Sequence, residues 1–168
     1  MDNMYYLLNV TVAGVKCIEE EIRLDFYKKI VNQKFDADKY RIKAIYGENG
    51  SGKSAIITAV KIFQDIICNS QYLSESKNQK LLDELINKKT QHYKFKCEFL
   101  CRLEKDNIIF AYELQLKKNE SGLYEIVYEK LWRLPSKNIK SIRNLINLKF
   151  RSYITKKIKY EKIKNLEY

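Results

Sequence analysis

Proline and glycine are scarce in this chain, which has one proline and five glycines among 168 residues. Long flexible linkers are therefore not expected, and an apolar fraction of 45% with 12% aromatics predicts a globular fold. A chain of this length can bury roughly two-thirds of its unfolded surface, enough for one domain with its own core. Three of the glycines lie at positions 47, 50 and 52. That concentration marks a place where the backbone has to come close to another group.

Long apolar runs are also missing. No stretch of 18 apolar residues occurs, and no basic segment followed by an apolar stretch opens the chain. We therefore expect a soluble, cytoplasmic protein without a membrane partner. The cysteines lack zinc-knuckle spacing, and Cys97 and Cys101 fall in an alternating segment. Two thiolates about 13 Å apart along a strand cannot share one zinc ion, so we expect reduced, buried cysteines at positions 17, 68, 97 and 101.

Negative charge is in deficit, because 32 Lys and Arg stand against 21 Asp and Glu, a net charge of +11. The excess is concentrated in residues 135–168, where ten basic and two acidic residues give +8. A basic segment of this kind can bind nucleic acid by releasing counterions from phosphates. It can equally reflect the general richness of this chain in Lys, Ile, Asn and Tyr. Both interpretations stay open.

The first half of the chain is predicted to place a helix directly after the glycine-rich segment. Residues 7–12 and 22–26 have the patterns of strands joined around Gly14, and residues 28–39 are predicted to be a loop. Tyr40 to Tyr46 is predicted to be a buried strand that leads into the glycines. Four apolar residues then recur at helical spacing, which predicts a helix from Ser54 to about Cys68 that Asn69 ends: Ile56, Val60, Phe63 and Ile67.

The second half is predicted to be an antiparallel meander. Residues 70–91 are polar and suggest a loop with a short surface helix. Three alternating segments follow between residues 93 and 132, with turns predicted at Asp106-Asn107 and at 119–122. Beyond Pro135, apolar residues return to helical spacing on a cationic background. Such a basic amphipathic helix could lie on nucleic acid, on a membrane surface or against a partner helix, and packing against further protein is our first expectation.

The glycine-rich segment fits the pattern G-x-x-x-x-G-K-S, which binds phosphates when a strand precedes it and a helix follows. Glycines let backbone N–H groups curl around a β-phosphate, and the N-terminus of the helix points its positive end at the same charge. Lys53 is expected to bridge the β- and γ-phosphates, and the Ser54 hydroxyl to ligate Mg²⁺. The predicted nucleotide-binding residues are Gly47, Glu48, Asn49, Gly50, Ser51, Gly52, Lys53, Ser54 and Ala55.

The segment from Ile45 to Ser54 resembles the Walker A motif of ABC-type ATPase heads, in the form typical of the chromosome-maintenance and break-repair branch and of its bacterial AAA-labelled relatives in phage defence and abortive infection. The likeness extends over about residues 5–134. Residues 14–18 look like a short element of that family that places Lys16 near the ribose or the α-phosphate. The segment 93–133 is similar to the antiparallel sheet of those heads.

This resemblance implies an α/β fold, the N-terminal lobe of an ABC/SMC-like P-loop NTPase with an antiparallel β-meander and a basic C-terminal helix. Residues 1–134 would form the ATP-binding lobe with Walker A loop, and residues 135–168 a basic helical tail that starts a further region. The cofactors implied are ATP and Mg²⁺. The partners implied are a second head in a head-to-head homodimer, DNA or RNA, and a nuclease or toxin protein.

Two elements of a complete head are not convincing here. Leu81-Leu82-Asp83-Glu84 has only two apolar residues before its acids, where a Walker B strand has four, and Leu73-Ser74-Glu75-Ser76 lacks the glycines of a signature motif. The chain thus resembles the first half of a head. No catalytic residue is predicted, and ATP binding without efficient hydrolysis is expected, since phosphoryl transfer needs positioning and charge neutralisation together.

Two other functions are alternatives to ATP binding. A nucleic-acid-binding module acting through the basic tail would bind with a steep salt dependence that survives Lys53→Ala. A complete small kinase or GTPase is disfavoured, because the chain has neither an Asn-Lys-x-Asp run nor a second acidic strand after the glycines. The loop reads phosphates and not bases, so ATP and GTP are not distinguished by it.

Overall fold

A computed structural model of the chain describes residues 4–26, 43–103 and 106–134. Within these residues, five antiparallel strands form one sheet: β1 (Met4–Ala13), β2 (Ile22–Asp25), β3 (His92–Leu103), β4 (Asp106–Lys118) and β5 (Tyr124–Arg133). Their spatial order is β2-β1-β3-β4-β5. Helices α1 (Lys53–Cys68) and α2 (Ser76–Leu85) come between β2 and β3, with a short 3₁₀ turn (Tyr72–Ser74) between them. The fold is therefore mixed α/β, with an all-antiparallel sheet.

The meander forms because its apolar residues alternate with polar ones. Tyr93, Phe95 and Cys97 are buried on the α1 side of the sheet, whereas Lys94 and Lys96 point to the other face. This period of two is the predicted one. The predicted turn at residues 119–122 is confirmed, since Gly122 N–H donates to the Asn119 carbonyl at 3.0 Å.

The turn predicted at Asp106-Asn107 is wrong. Both residues belong to β4, where Asp106 pairs with Leu103 and Asn107 with Arg102. Asp and Asn favour turns because their side chains bond nearby backbone groups, but strand pairing takes their backbone here. The ladder of twelve facing pairs thus extends to the last residue of β3 and the first residue of β4.

Helix α1 packs across the sheet and forms the core with it. Its predicted span is confirmed to within one residue, and the Asn69 N–H at its end donates to the Asp65 carbonyl at 2.9 Å. Phe63 stacks on Phe95, with ring centroids 4.2 Å apart, and the buried Tyr93 hydroxyl donates to the Ala59 carbonyl at 2.8 Å. Burial raises the pKa of Tyr93 well above its ordinary value, so this donor stays protonated.

The buried face of α1 is rotated from the predicted one. Ile56 is buried as expected, but Val60, Phe63 and Ile67 are half-buried at its margin. The residues at its centre are Ala55, Ala59, Ile62 and Ile66. Two alanines add little to a hydrophobic pattern, yet their small side chains allow the helix to approach the sheet closely.

Helix α2 packs on the same face of the sheet as α1, next to the start of β5. Leu82 is fully buried, and Gln79 joins the helix to the first residue of β5. The Gln79 amide nitrogen donates to the carbonyls of Leu73 and Tyr124 at 2.7 and 3.0 Å, and its oxygen accepts from Tyr124 N–H at 2.8 Å. The short surface helix predicted between residues 70 and 91 is thus confirmed and tied to the sheet edge.

The four cysteines are free, as predicted, but they are not all buried. Cys97 and Cys101 are buried in the sheet, and burial raises the pKa of Cys97 to about 12. Cys17 and Cys68 are exposed, which corrects the prediction for these two. Cys17 lies in a turn and Cys68 is the last residue of α1, and the described residues leave both side chains exposed.

Candidate functional site

The glycine loop, residues 47–52, leads directly into α1. Gly50 and Gly52 adopt positive φ angles of 86° and 91°, a conformation that costs other residues energy. Ser51 lies between them, and its N–H donates to the Glu48 carbonyl at 3.2 Å. Left-handed residues at alternate positions turn successive N–H groups toward one side, which is the geometry of an anion-binding nest.

The Lys53 side chain lies on the inner side of this loop. Its ammonium nitrogen donates to the carbonyl oxygens of Gly47 and Glu48 at 2.6 and 2.5 Å, and lies 3.4 Å from the Ser51 hydroxyl. The first residue of α1 is thereby folded back over the loop that precedes it. Among the residues that the structure describes, no Asp or Glu side chain bonds to Lys53 or to Ser54.

The N-terminus of α1 adds further donors. Gly52 caps the helix without a side-chain bond, and the first turn contains no acidic residue. The amides of Ala55 and Ile56 donate to the Gly52 carbonyl. Those of Gly52, Lys53 and Ser54 have no acceptor within residues 4–26, 43–103 and 106–134. Unsatisfied amides together with the helix dipole make such a terminus attractive to an anion.

The predicted strand before the loop is not formed over the part that is described. Residues 43–46 have no regular structure, and Tyr46 is 91% exposed. Tyr40 and the two residues after it lie outside the described residues, as does the loop predicted for residues 28–39. A buried strand needs neighbours on both sides, and no described strand pairs with residues 43–46. Their apolar character alone could not supply that pairing.

The turn at residues 14–18, between β1 and β2, lies against the glycine loop. The Cys17 thiol is 3.6 Å from the Gly50 carbonyl oxygen. Ile18 is also close, since a Cβ atom added to Gly52 would lie 3.3 Å from the Ile18 side chain. The structure therefore brings the segment that contains Lys16 beside the loop. Lys16 itself is exposed and has a positive φ of 51°.

The same turn is bonded to the residues that follow α2, a connection that no pattern in the sequence indicates. Ile86 forms a bridge with Val15, and the buried Asn87 donates from its side chain to the Lys16 carbonyl at 2.7 Å. Asn87 stands in a polar stretch without periodicity, so nothing in the sequence singles it out.

The acids of Leu81-Leu82-Asp83-Glu84 do not contribute to this site. The segment belongs to α2, as the sequence predicted. Asp83 bonds to Lys118 at 2.5 Å and to Lys88 at 2.9 Å, and these bonds lower the pKa of its carboxyl group, the bond from Lys118 most. Ser74 and Ser76, in the segment compared with a signature motif, lie at the 3₁₀ turn and at the first residue of α2.

The described residues are compatible with a magnesium ion only if the ion arrives bound to a phosphate ligand. The described part of the chain has no cluster of three or more His, Cys, Asp or Glu side chains able to hold a metal. Ser54 is exposed in the first turn of α1, beside the unpaired amides. Magnesium in nucleotide sites keeps most of its water and takes few protein ligands, so one hydroxyl beside a phosphate is compatible with it.

The basic tail, residues 135–168, lies outside the described residues, and so does the amphipathic helix predicted within it. Within the ranges that are described, neither helix has the length and apolar character to cross a membrane. Comparisons with protein-family models, with curated proteins and with solved structures give no match to this chain.

Proposed function

We propose that this chain binds the phosphates of a nucleoside triphosphate, ATP with Mg²⁺, in the glycine loop before α1. The observation that supports this most is the Lys53 ammonium group, 2.6 and 2.5 Å from two carbonyl oxygens of a loop shaped by two left-handed glycines. Lys53 is also next to backbone amides of Gly52 and Ser54 that have no acceptor among the described residues, so several donors lie in one short segment. Phosphate oxygens can take the place of the carbonyl oxygens as acceptors for Lys53.

The roles of the site residues follow from this arrangement. The amides of Gly52, Lys53 and Ser54, which have no acceptor in the described part, would donate to phosphate oxygens, and Lys53 would neutralise charge on them. Ser54 would supply a hydroxyl to Mg²⁺, and the ion would itself screen the phosphates. Lys16, on the adjoining turn, is proposed to reach the ribose or the α-phosphate.

We further propose that the chain is the N-terminal lobe of an ABC/SMC-like P-loop ATPase. P-loop cores usually contain parallel strands, and the described sheet is entirely antiparallel. The described sheet would correspond to the antiparallel meander of such heads, and not to their parallel core. With no carboxylate bonded to Lys53 or Ser54 among the described residues, the proposed activity is binding with little hydrolysis. A head-to-head homodimer, DNA or RNA, a nuclease or toxin partner, and a cytoplasmic location belong to this proposal.

A titration with a fluorescent ATP analogue tests the site. Lys53→Ala should weaken binding in the presence of Mg²⁺ by about 10- to 100-fold, because a hydrogen bond to a charged group is worth about 1.5–3 kcal/mol. Lys61→Ala is a matched control: Lys61 is an exposed lysine on the same helix that pairs with Asp65 at 2.7 Å. Its affinity should equal that of the wild type. Equal affinities for wild type and Lys53→Ala would reject the site.

A further inference from the structure

The turn beside the glycine loop is held from behind by residues 85–87. The Lys16 N–H donates to the Leu85 carbonyl at 2.8 Å. The Asn87 N–H donates to the Gly14 carbonyl at 2.9 Å, so the two chain segments exchange bonds at both ends of the contact. Whatever moves residues 85–87 therefore also moves the turn.

The Asn87 side chain is itself fixed in one orientation. Only 7% of the residue is exposed, and its amide nitrogen donates to the Lys16 carbonyl at 2.7 Å. Its amide oxygen accepts from the backbone N–H groups of Lys89 and Thr90 at 2.9 and 3.1 Å. A buried side chain with its oxygen and nitrogen both bonded cannot rotate without leaving polar groups unsatisfied.

Lys16 needs such support because of its backbone conformation. Its φ of 51° is left-handed, which is unfavourable for a residue with a Cβ and persists where the surroundings determine it. Here the N–H of Lys16 is bonded by Leu85 and its carbonyl by Asn87. The next residue, Cys17, carries the thiol that contacts the Gly50 carbonyl. The conformation of Lys16 thus determines how the turn meets the glycine loop.

We propose that Asn87 is a positioning residue of the phosphate site. It holds Lys16 in the left-handed conformation and thereby fixes the turn. The fixed turn supports Gly50 and determines where the Lys16 side chain starts relative to the loop. This inference rests on the proposed function, because it assigns a residue to that same site. Asn87 does not contact the phosphates; its effect reaches them through the turn.

The test is Asn87→Asp, which keeps the size of the side chain and an oxygen acceptor for Lys89 and Thr90 but replaces the donor to the Lys16 carbonyl with a second oxygen. The affinity for the fluorescent ATP analogue with Mg²⁺ should fall about tenfold. Asn78→Asp is the matched control, since Asn78 donates to the Tyr72 carbonyl at 3.0 Å and none of its bonds reaches the loop. It should bind within about twofold of the wild type.

A second readout does not depend on nucleotide. In a Cys68→Ser background Cys17 is the one exposed thiol of the described residues, and its alkylation rate reports how firmly the turn lies on the loop. Asn87→Asp should raise this rate, and Asn78→Asp should not. Adding Lys16→Gly to Asn87→Asp should return the rate to that of the Cys68→Ser background, because glycine adopts positive φ without a supporting bond. The double variant also guards against simple unfolding, which glycine would not reverse.

The outcomes separate the two proposals. An unchanged Cys17 rate in Asn87→Asp, or a loss of affinity no larger than that in Asn78→Asp, overturns the role of Asn87. If wild type and Lys53→Ala bind the analogue equally, the proposed function fails instead, and Asn87 is no longer a residue of a phosphate site. Its hold on the turn is then judged by the alkylation rate alone.

Discussion

The glycine loop joins α1 at Gly52 and Lys53, and α1 packs on one face of the sheet. Different forces maintain the structure of this packed face and of the loop. On the sheet, aromatic and aliphatic side chains such as Phe95 and Leu114 are almost completely buried against α1. In the loop, every residue except Gly52 is exposed, and the shape depends on two positive φ angles and on the bonds of one ammonium group.

This difference separates stability from function in the molecule. Burial of apolar surface supplies most of the free energy of folding, and the loop buries almost none. Its N–H groups can therefore be arranged for a ligand at little cost to the fold. Substitutions in the two regions should differ accordingly, with losses of folding free energy in one and losses of affinity in the other.

The largest effect on folding is expected for Phe95→Ala. Phe95 is 2% exposed and stacks on Phe63 at 4.2 Å between ring centroids, so its removal leaves a cavity between sheet and helix. The free energy of unfolding should fall by about 3–5 kcal/mol. Urea denaturation followed by circular dichroism measures this. Ile57→Ala, at a residue of α1 that is 64% exposed, is the control and should change stability by less than about 0.5 kcal/mol.

A smaller loss is expected for Gln79→Ala. This side chain makes three hydrogen bonds, two of them to the backbone of Tyr124, and its loss leaves buried groups of the edge strand unpaired. The free energy of unfolding should fall by about 2 kcal/mol in the same urea assay. Gln64→Ala, at an exposed position of α1, serves as its control. A stability equal to the wild type would show that water replaces these bonds.

Local patterns explain what could be predicted from the sequence. The alternation of Tyr93, Phe95 and Cys97 requires only that one face be buried, and the spacing in α1 requires only helical geometry. Both were therefore found, and so was the position of the glycine loop before the helix. The tighter contact of Ala55 and Ala59 was not found, because a pattern of hydrophobicity gives small residues little weight.

Features that depend on distant partners could not be predicted in this way. Residues 43–46 are apolar enough for a strand, but a strand also needs a neighbour, and composition does not say whether one exists. Asp106 and Asn107 favour a turn locally, whereas their pairing with β3 extends the strand. Asn87 acts through a bond to Lys16, 71 positions earlier in the chain, and no local pattern records such a contact.

The smallest effect on folding is expected for Lys53→Ala, the variant that should lose the most affinity. The Lys53 ammonium group makes two short bonds to carbonyl oxygens of Gly47 and Glu48, so one could expect its loss to open the loop and lower stability. Both residues are exposed, however, and water can satisfy their carbonyl groups once the ammonium is gone. Exposed charged groups contribute little to stability, and alanine favours the helix that begins here. The free energy of unfolding should therefore stay within about 0.5 kcal/mol of the wild type in the urea assay that detects Phe95→Ala. A loss as large as that of Gln79→Ala would mean that the loop is part of the folded core, and that its shape and the stability of the sheet cannot be separated.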